Sequence, residues 1–365
     1  MTDYNTIRRV LQSIRAGSKT VSGAFERLIQ KELIITQGYR EMASKSHIAL
    51  REFLKKENER DCTFPVILSA ADSDFIGGSY GRETKIWPLD DIDIYIPIDG
   101  YSLVYFDISG ILPYEVITDN KISTNPINSS RWYEFNAISS NKLIQEFAVV
   151  LKRHYPDTVD VDPNGEAVSI RMKQGATKNE DGLGYDIVPC FLMRSKIPGN
   201  NEEFYLIPDG SDEWIRTNPR MDGLIADSLN KKNNGTYKKV IKMIKYWNKI
   251  KLNGMLSSYY IEYAVYGIYA QKNREGKILT KVSEGLARSF YELNRVIKIG
   301  NQNSIVKGAP PIEPGFSSQI GKLTALTRCS EASNSANLAW KLERNNNELE
   351  AINVWKEIFG DSFGE

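Results

Sequence analysis

Two aspartates at alternate positions carry the clearest chemical signal in this chain. The run Asp91-Ile92-Asp93-Ile94-Tyr95-Ile96 alternates acidic or polar with apolar side chains. A period of two residues predicts a β-strand with Asp91 and Asp93 on one face. Carboxylates that lie this close resist ionisation unless a cation neutralises them, and hard oxygen ligands suit magnesium. The spacing therefore predicts a metal site, whereas Asp90 falls out of phase and is predicted to be a polar strand entry rather than a ligand.

A glycine-rich turn precedes this predicted metal strand. The apolar pair Phe75-Ile76 leads into Gly77-Gly78-Ser79. Glycine leaves the backbone N–H groups open because it has no Cβ, and such a turn, followed by a hydroxyl, can cradle a phosphate. A lone turn of this kind is a weak signal, and a lone Asp-x-Asp is often a solvated strand edge. Their combination is more specific, and it predicts that Gly78 and Ser79 hold a phosphate beside the metal.

A third carboxylate stands in the run Gly184-Tyr185-Asp186-Ile187-Val188-Pro189-Cys190-Phe191. Asp186 is the only charge in this apolar, strand-like sequence, and burying an unpartnered charge is costly. The run Ala167–Met172 is predicted to be its hairpin partner across the loop Lys173–Leu183. Phosphoryl transfer with two metal ions usually needs a third acidic ligand. We therefore predict that Asp186 completes the catalytic metal site.

These features together resemble the nucleotidyltransferase superfamily that includes DNA polymerase beta, in which a Gly-Ser turn precedes Asp-x-Asp and a distant Asp lies on a neighbouring strand. A fuller set of motifs resembles the bacterial cGAS/DncV-like nucleotidyltransferases, the CD-NTases of CBASS anti-phage defence. This set consists of GGSYGRET, PLDDIDIYI, YDIVPCF, IKYWN, LSSYYIE and VWKEIFGDSF. The matches run from about residue 75 to residue 363 and cover most of the chain.

The resemblance implies an α+β fold with a polymerase beta-like sheet core, a helical lobe and an active site in the cleft between them. We place N-terminal bracing helices at residues 1–60, the nucleotidyltransferase core at 61–210 and the helical domain at 211–365. Helical spacing of Ile7, Val10, Leu11 and Ile14 predicts a first helix. A long helix is predicted at Val21–Glu57, with an apolar stripe that includes Ile48. In the core, the predicted elements are a short strand at Leu103–Ile108 within an irregular insertion at Asp99–Trp132, a helix at Asn141–His154 and a last strand at Glu203–Ile207. Helices are predicted from Trp214 onward as far as Phe359, interrupted by a loop at Gly300–Phe316.

A lysine-rich segment, Tyr237–Lys251, has the pattern of an amphipathic helix. At about 100° per residue, Lys238, Lys242, Lys245 and Lys249 fall on one side, opposite the apolar residues. This pattern alone predicts a solvated lysine face. The resemblance selects Lys245, which precedes Tyr246-Trp247, as the lysine that contacts the triphosphate, and leaves the other three lysines solvated.

The segment Leu256-Ser257-Ser258-Tyr259-Tyr260-Ile261-Glu262 is predicted to begin the next helix. Serines at a helix start are commonly caps, and tyrosines are commonly core residues. The resemblance instead implies that Ser258 contacts the triphosphate and that Tyr259 stacks on a base.

The activity implied by the resemblance is the joining of nucleoside triphosphates, ATP and/or GTP with pyrimidine nucleotides as alternatives, into a cyclic di- or trinucleotide with release of pyrophosphate. Two Mg²⁺ ions, which Mn²⁺ could replace, would be bound by the three aspartates. A separate effector would read the product in anti-phage signalling, and regulatory proteins would be further partners.

The composition argues against several classes of protein and of active site. The chain has 365 residues, 41% hydrophobic residues and a net charge of +1, which argues against a general nucleic-acid binder or a need for a template. The three cysteines are widely spaced and only two histidines occur, His47 and His154, so zinc and histidine chemistry are not expected and both histidines are predicted at the surface. No apolar run approaches the about 20 residues of a membrane helix, and no signal peptide is recognisable. We expect a cytoplasmic protein.

Two alternative functions stay open on the residues alone. A template-independent RNA polymerase or a small-molecule nucleotidyltransferase would use the same three carboxylates. A catalytically silent nucleotide-binding module would keep the nucleotide contacts without the reaction. Labelled nucleoside triphosphates with Mg²⁺ would distinguish cyclic products, long ladders and no product.

Overall fold

The computed structural model describes residues 19–68, 75–100, 103–106, 114–118, 124–155, 159–172, 183–194, 202–305 and 309–365. The predicted first helix, with Ile7, Val10, Leu11 and Ile14, lies outside the described residues, and so do residues 173–182 of the predicted hairpin loop. No helix within these ranges is long and apolar enough to cross a membrane.

The strands form one main sheet and two small ones. They are β1 (Phe75–Ile76), β2 (Ile92–Ile98), β3 (Leu103–Phe106), β4 (Glu115–Thr118), β5 (Tyr133–Glu134), β6 (Ala137–Ile138), β7 (Val159–Pro163), β8 (Val168–Met172), β9 (Gly184–Arg194), β10 (Glu203–Pro208) and β11 (Trp214–Thr217). The main sheet has the order β1-β2-β9-β10-β11, with β8 also paired to β9 and β7 to β8. Strands β3 and β4 pair separately, as do β5 and β6.

Strand β9 is long enough to organise the main sheet. From Tyr185 to Phe191 it pairs in parallel with β2. On its other edge, the first half pairs with β8 and the last residues pair with β10, both antiparallel. The hairpin predicted between Ala167–Met172 and the Asp186 strand is therefore confirmed.

The helices are α1 (Val21–Leu28), α2 (Gln37–Arg60), the single turn α3 (Gly78–Gly81), α4 (Ser140–His154), α5 (Pro219–Lys232), α6 (Thr236–Leu252), α7 (Ser258–Arg274), α8 (Val282–Ile299), α9 (Gln319–Arg344) and α10 (Glu348–Phe359). Helix α1 continues as one wider turn, Ile29–Leu33, and short 3₁₀ turns lie at Pro126–Asn128 and Ser130–Trp132. The helix predicted at Asn141–His154 is confirmed as α4, which Ser139 caps by accepting a hydrogen bond from the Lys142 N–H at 3.0 Å.

Two large hydrophobic cores correspond to the two parts of the predicted α+β fold, which is confirmed. Helices α6 to α10 surround one core around Trp247 and Trp355. The sheet and α4 surround the other, in which Ile92, Ile94 and Ile96 are fully buried. Because side chains alternate along a strand, the aspartates of β2 point to the opposite face of the sheet.

The single helix predicted at Val21–Glu57 is wrong, because the chain breaks at Ile34–Thr36 between α1 and α2. Ile34 and Thr36 have extended backbone conformations, and three successive β-branched residues disfavour helix. The break sends the two helices to different places. Phe25 of α1 packs against Trp355 in the helical core, whereas α2 contributes to the sheet core.

Three further sequence predictions in this part of the fold are wrong. Ile48 is 49% exposed rather than part of an apolar stripe. His47 is buried, and its Nδ1 lies 3.0 Å from the Ala43 carbonyl oxygen one helical turn earlier. Glu203–Ile207 is not the last strand, because the aromatic and β-branched run at Trp214 forms β11, and the helices begin only at Pro219.

Candidate active site

Two of the predicted carboxylates lie on neighbouring parallel strands. The register of β2 and β9 sets the Cα of Asp93 directly opposite the Cα of Asp186. Asp91 immediately precedes β2 and shares the phase of Asp93. Burial, followed by the charges of Asp91 and Asp186, raises the pKa of Asp93 to about 7. The structure thus brings Asp91 and Asp186 close enough to Asp93 to disfavour its charged form.

A relay of side chains on the β7–β8 hairpin orients Asp186. Asn164 Nδ2 donates to Ser169 Oγ at 2.9 Å, and Ser169 Oγ donates to Asp186 Oδ1 at 2.6 Å. Ser169 and Asp186 are register partners on β8 and β9.

The glycine turn lies directly against Asp93. The Gly77 N–H donates to the Asp93 carbonyl oxygen at 2.9 Å. Gly78 has a positive φ of 56°, and a Cβ at this position would lie 1.6 Å from Asp93 Oδ2. Only glycine fits such a close approach in this backbone conformation. Ser79 is buried, and its carbonyl oxygen accepts hydrogen bonds from the N–H groups of Thr84 and Lys85.

A second glycine fixes the segment that leads into β2. The Gly184 N–H donates to the Leu89 carbonyl oxygen at 2.9 Å. A Cβ on Gly184 would lie 2.0 Å from the Asp90 carbonyl oxygen. The backbone just before Asp91 is therefore held against the start of the strand that carries Asp186.

Three of the predicted site residues line one cavity between the sheet core and the helical part. Asp91, Lys245 and Ser258 belong to the wall of this cleft cavity, which has a volume of about 210 Å³. Ser257, not Ser258, caps α7, because its side chain accepts a hydrogen bond from the Tyr260 N–H at 3.3 Å. Ser258 is thereby left exposed toward the cavity. The roles of these residues in nucleotide binding stay predictions.

Tyr259 is not among the residues that line the cleft cavity. Its hydroxyl donates to Asp222 Oδ1 at 2.9 Å. The Arg82 guanidinium carbon lies 5.2 Å from the centre of its ring. The ring is partly buried against the helical core, so its stacking on a base stays a prediction made from the resemblance.

Lys245 takes part in a buried charge network that the sequence did not reveal. Its Nζ donates to Glu262 Oε1 at 2.7 Å, and Arg82 Nε donates to Glu262 Oε2 at 2.7 Å. Thr84 Oγ1 donates to Glu262 Oε1 at 2.8 Å. Burial alone would raise the pKa of Glu262, but Arg82 and Lys245 hold it at about 2. Burial lowers the pKa of Lys245, against the opposing effect of Glu262.

This network joins the glycine-turn segment to two helices of the other lobe. Arg82 and Thr84 follow α3, whereas Lys245 lies on α6 and Glu262 on α7. Arg82 and Thr84 lie in the motif GGSYGRET and Glu262 lies in LSSYYIE, but the resemblance implied a role only for the fourth member of the network, Lys245. The motifs indicate that these segments matter, but only the fold shows that Arg82, Thr84 and Lys245 all contact Glu262.

The solvated lysine face predicted on α6 is wrong for Lys238. Its side chain is 11% exposed, and its Nζ donates to Glu83 at 2.8 Å and to Asp227 at 2.6 Å. Lys242 is partly buried at a second cavity. Lys249 donates to the Trp87 carbonyl oxygen at 3.2 Å and remains exposed.

The donor set of Asp91, Asp93 and Asp186 fits the magnesium that the fold implies. Carboxylate oxygens are hard ligands, and burial together with the charges of Asp91 and Asp186 raises the pKa of Asp93 to about 7. In the described part of the chain, no three His, Cys, Asp or Glu side chains stand ready as metal ligands.

Comparisons with known proteins place this geometry in context. No protein-family model matches the chain. It is 28% identical over 353 residues to "Probable cyclic nucleotide synthase IK1_05630" of Bacillus cereus strain VD146, across 94% of this chain and 98% of that protein.

Two solved structures share the fold over most of its length. CdnC of E. coli MS115-1 with ATP has a TM-score of 0.59 at 14% identity, and covers 95% of this chain and 99% of its own. CdnC in a complex with HORMA-deltaN has a TM-score of 0.61 at 15% identity, with the same coverage. The predicted resemblance to the bacterial cGAS/DncV-like nucleotidyltransferases is thereby confirmed: the chain is similar along most of its length to a probable cyclic nucleotide synthase, and it shares the fold of CdnC.

Proposed function

We propose that this protein is a magnesium-dependent cyclic oligonucleotide synthase that joins nucleoside triphosphates and releases pyrophosphate. The proposal rests on the register of β2 and β9, which sets Asp93 opposite Asp186 on adjacent parallel strands. Asp91 lies two residues before Asp93, and the turn at Gly78 packs against the Asp93 carboxylate. The full-length similarity to a probable cyclic nucleotide synthase supports cyclic products over the other products of this superfamily.

The three aspartates would hold the magnesium ions. When bound, magnesium would neutralise phosphate charge and favour ionisation of the acceptor ribose hydroxyl. Ser169 keeps the Asp186 carboxylate in one orientation by its 2.6 Å hydrogen bond. Phosphoryl transfer leaves little covalent work to the protein, so positioning of this kind is the main task of the chain.

The cleft cavity would bind the donor triphosphate. Lys245 would present a cation and Ser258 a hydroxyl in the cavity that Asp91 also lines. The Gly78-Ser79 turn would contact the same phosphates from the side of Asp93, and the Tyr259 ring would stack on a base. Because Glu262 already binds Lys245, the lysine would reach the phosphate from a fixed position rather than as a mobile side chain.

The comparisons also support a choice of substrates and partners. CdnC was solved with ATP and with a HORMA protein. We extend both features to this chain, with ATP and GTP as the first substrates to test and a regulatory protein as partner. The product would act on a separate effector in anti-phage signalling.

Incubation of the full chain with ATP, GTP, CTP and UTP and Mg²⁺, followed by mass spectrometry, tests this function. The proposal predicts cyclic di- or trinucleotides and pyrophosphate. Asp93→Asn should abolish both, whereas Asp361→Asn, at an exposed aspartate in the turn that follows α10, should retain them.

The products also separate the alternatives. Long ladders would replace the proposal with a template-independent polymerase. An adduct on a non-nucleotide acceptor would indicate a small-molecule nucleotidyltransferase. Product formation that survives Asp93→Asn unchanged would refute the assignment of the site.

A further inference from the structure

Lys85 occupies the carboxylate site from the side of Asp90 and Asp91. Its Nζ lies 2.8 Å from Asp90 Oδ1 and also contacts Asp91 Oδ1 closely. The lysine side chain is only 12% exposed. Asp90, which is out of phase with the predicted metal ligands, thus has a use of its own as an anchor for the ammonium group.

The position of this lysine is restricted by the fold. Its backbone N–H donates to the Ser79 carbonyl oxygen at 3.0 Å. Its side chain lines the cleft cavity and also a second cavity, of about 330 Å³, whose wall contains Arg40 and Lys242. Lys85 therefore stands between the two cavities.

The charges of the second cavity favour the cleft as the place for the ammonium group. Burial and the charge of Arg40 lower the pKa of Lys242, against the opposing effect of Glu83. Glu83 is already bound to Lys238 at 2.8 Å. A third cation would be repelled from this wall, whereas the cleft offers two carboxylates to Lys85.

We propose that Lys85 is a tethered counter-ion whose ammonium group neutralises Asp91 until a divalent cation and a nucleotide displace it. The proposal rests on the metal site of the proposed function. One carboxylate oxygen of Asp91 cannot bind the ammonium group and a metal ion at the same time, so the two cations compete for it. Lys85 is a positioning residue in this scheme and takes no part in the reaction itself.

A nucleoside triphosphate would resolve the competition. The displaced ammonium group remains in the cleft because of its short tether, and the triphosphate supplies the negative charge that it has lost. Binding of metal and of nucleotide would then assist each other, and metal binding without nucleotide would be weak.

The test measures binding of Mn²⁺ alone to the full chain, from the free-ion signal in electron paramagnetic resonance. Lys85→Met should bind Mn²⁺ about tenfold or more tightly than the wild type, because a charge-assisted hydrogen bond no longer opposes the metal. Lys85→Arg should retain the weak wild-type affinity. Lys249→Met, at an exposed lysine that lines the same cavity, should leave the affinity unchanged.

Two controls connect the effect to the site and to the fold. Lys85→Met combined with Asp91→Asn should return the affinity to the wild-type level or below. Thermal unfolding establishes that each variant is folded, and Lys85→Gln replaces Lys85→Met if the latter is not.

Two outcomes would overturn the proposal in different ways. If Lys85→Met and the wild type bind Mn²⁺ equally well, Lys85 does not compete and the metal site itself stands. If no variant binds Mn²⁺, both the competition and the metal assignment of the proposed function are wrong.

Discussion

Replacement of Lys245 by methionine separates a phosphate-binding lysine from a purely structural one. The substitution keeps most of the side-chain stem and removes the charge that lies 2.7 Å from Glu262 Oε1. Both side chains of this pair are nearly fully buried, at 5% and 4% exposure. Removal of one partner of a buried ion pair costs about 3–5 kcal/mol, and because Arg82 still compensates Glu262, we expect about 3 kcal/mol.

The loss of nucleotide binding should add to this loss of stability. A charge-assisted hydrogen bond to phosphate contributes about 1.5–3 kcal/mol, or about 10- to 150-fold in affinity. Urea unfolding measures the first effect, and titration of the folded variant with ATP and Mg²⁺ measures the second. We expect the variant to show both.

Lys238→Met is the matched control on the same helix. Lys238 is also mostly buried, but its carboxylate partners are 68% and 67% exposed, so its loss should cost about 0.2–1 kcal/mol and leave ATP affinity unchanged. If Lys245→Met lost stability but bound ATP like the wild type, Lys245 would be a structural residue only. Equal losses of affinity in both variants would also contradict the reasoning.

Three further changes test other parts of the site. Asp93→Asn should abolish product while keeping or raising the unfolding temperature, since it removes a carboxylate that its neighbours repel; a large fall in that temperature would be unexpected. Gly78→Ala should reduce activity by about tenfold or more, because the new Cβ would lie 1.6 Å from the Asp93 carboxylate. Gly235 has a similarly positive φ of 80° and no atom near the place of a Cβ, so Gly235→Ala should lower stability without lowering activity. The folded-state pKa of Glu262, about 2, lies below its ordinary value of 4.5. The ionised Glu262 therefore contributes fully to the unfolding free energy above pH 4.5, and this contribution is lost as the pH falls toward 2. Between about pH 5 and pH 3, the unfolding free energy of the wild type should fall more than that of Glu262→Gln.

The strands that carry the carboxylates were predictable because their periodicity is strong. The alternation from Asp91 to Ile96 requires one face to be apolar, and the lone charge at Asp186 marks the second strand. What the sequence could not show is the parallel register that sets Asp93 opposite Asp186, because the two residues are far apart in the chain and pair only through the fold.

The misassigned parts have different physical causes. The break at Ile34–Thr36 was hidden because the apolar spacing on both sides is helical. The three β-branched residues disfavour helix only weakly by themselves, and the sequence does not show that the two helices join different cores. Lys238 and Lys245 follow the same surface pattern as Lys249, but their burial depends on acidic residues that other segments supply. Charge networks of this kind form only in the tertiary structure, so the periodicity of a single helix does not predict them.

We propose that Asp91, Asp93 and Asp186 bind the metal ions of a nucleotidyl-transfer site. Crystals of the full chain grown with Mn²⁺ and a non-hydrolysable ATP analogue, measured at the manganese absorption edge, test it directly. Anomalous peaks are expected at about 2.1 Å from carboxylate oxygens of Asp91, Asp93 and Asp186, with the triphosphate between them and Lys245. Manganese peaks elsewhere, or a triphosphate bound away from these aspartates, would contradict it.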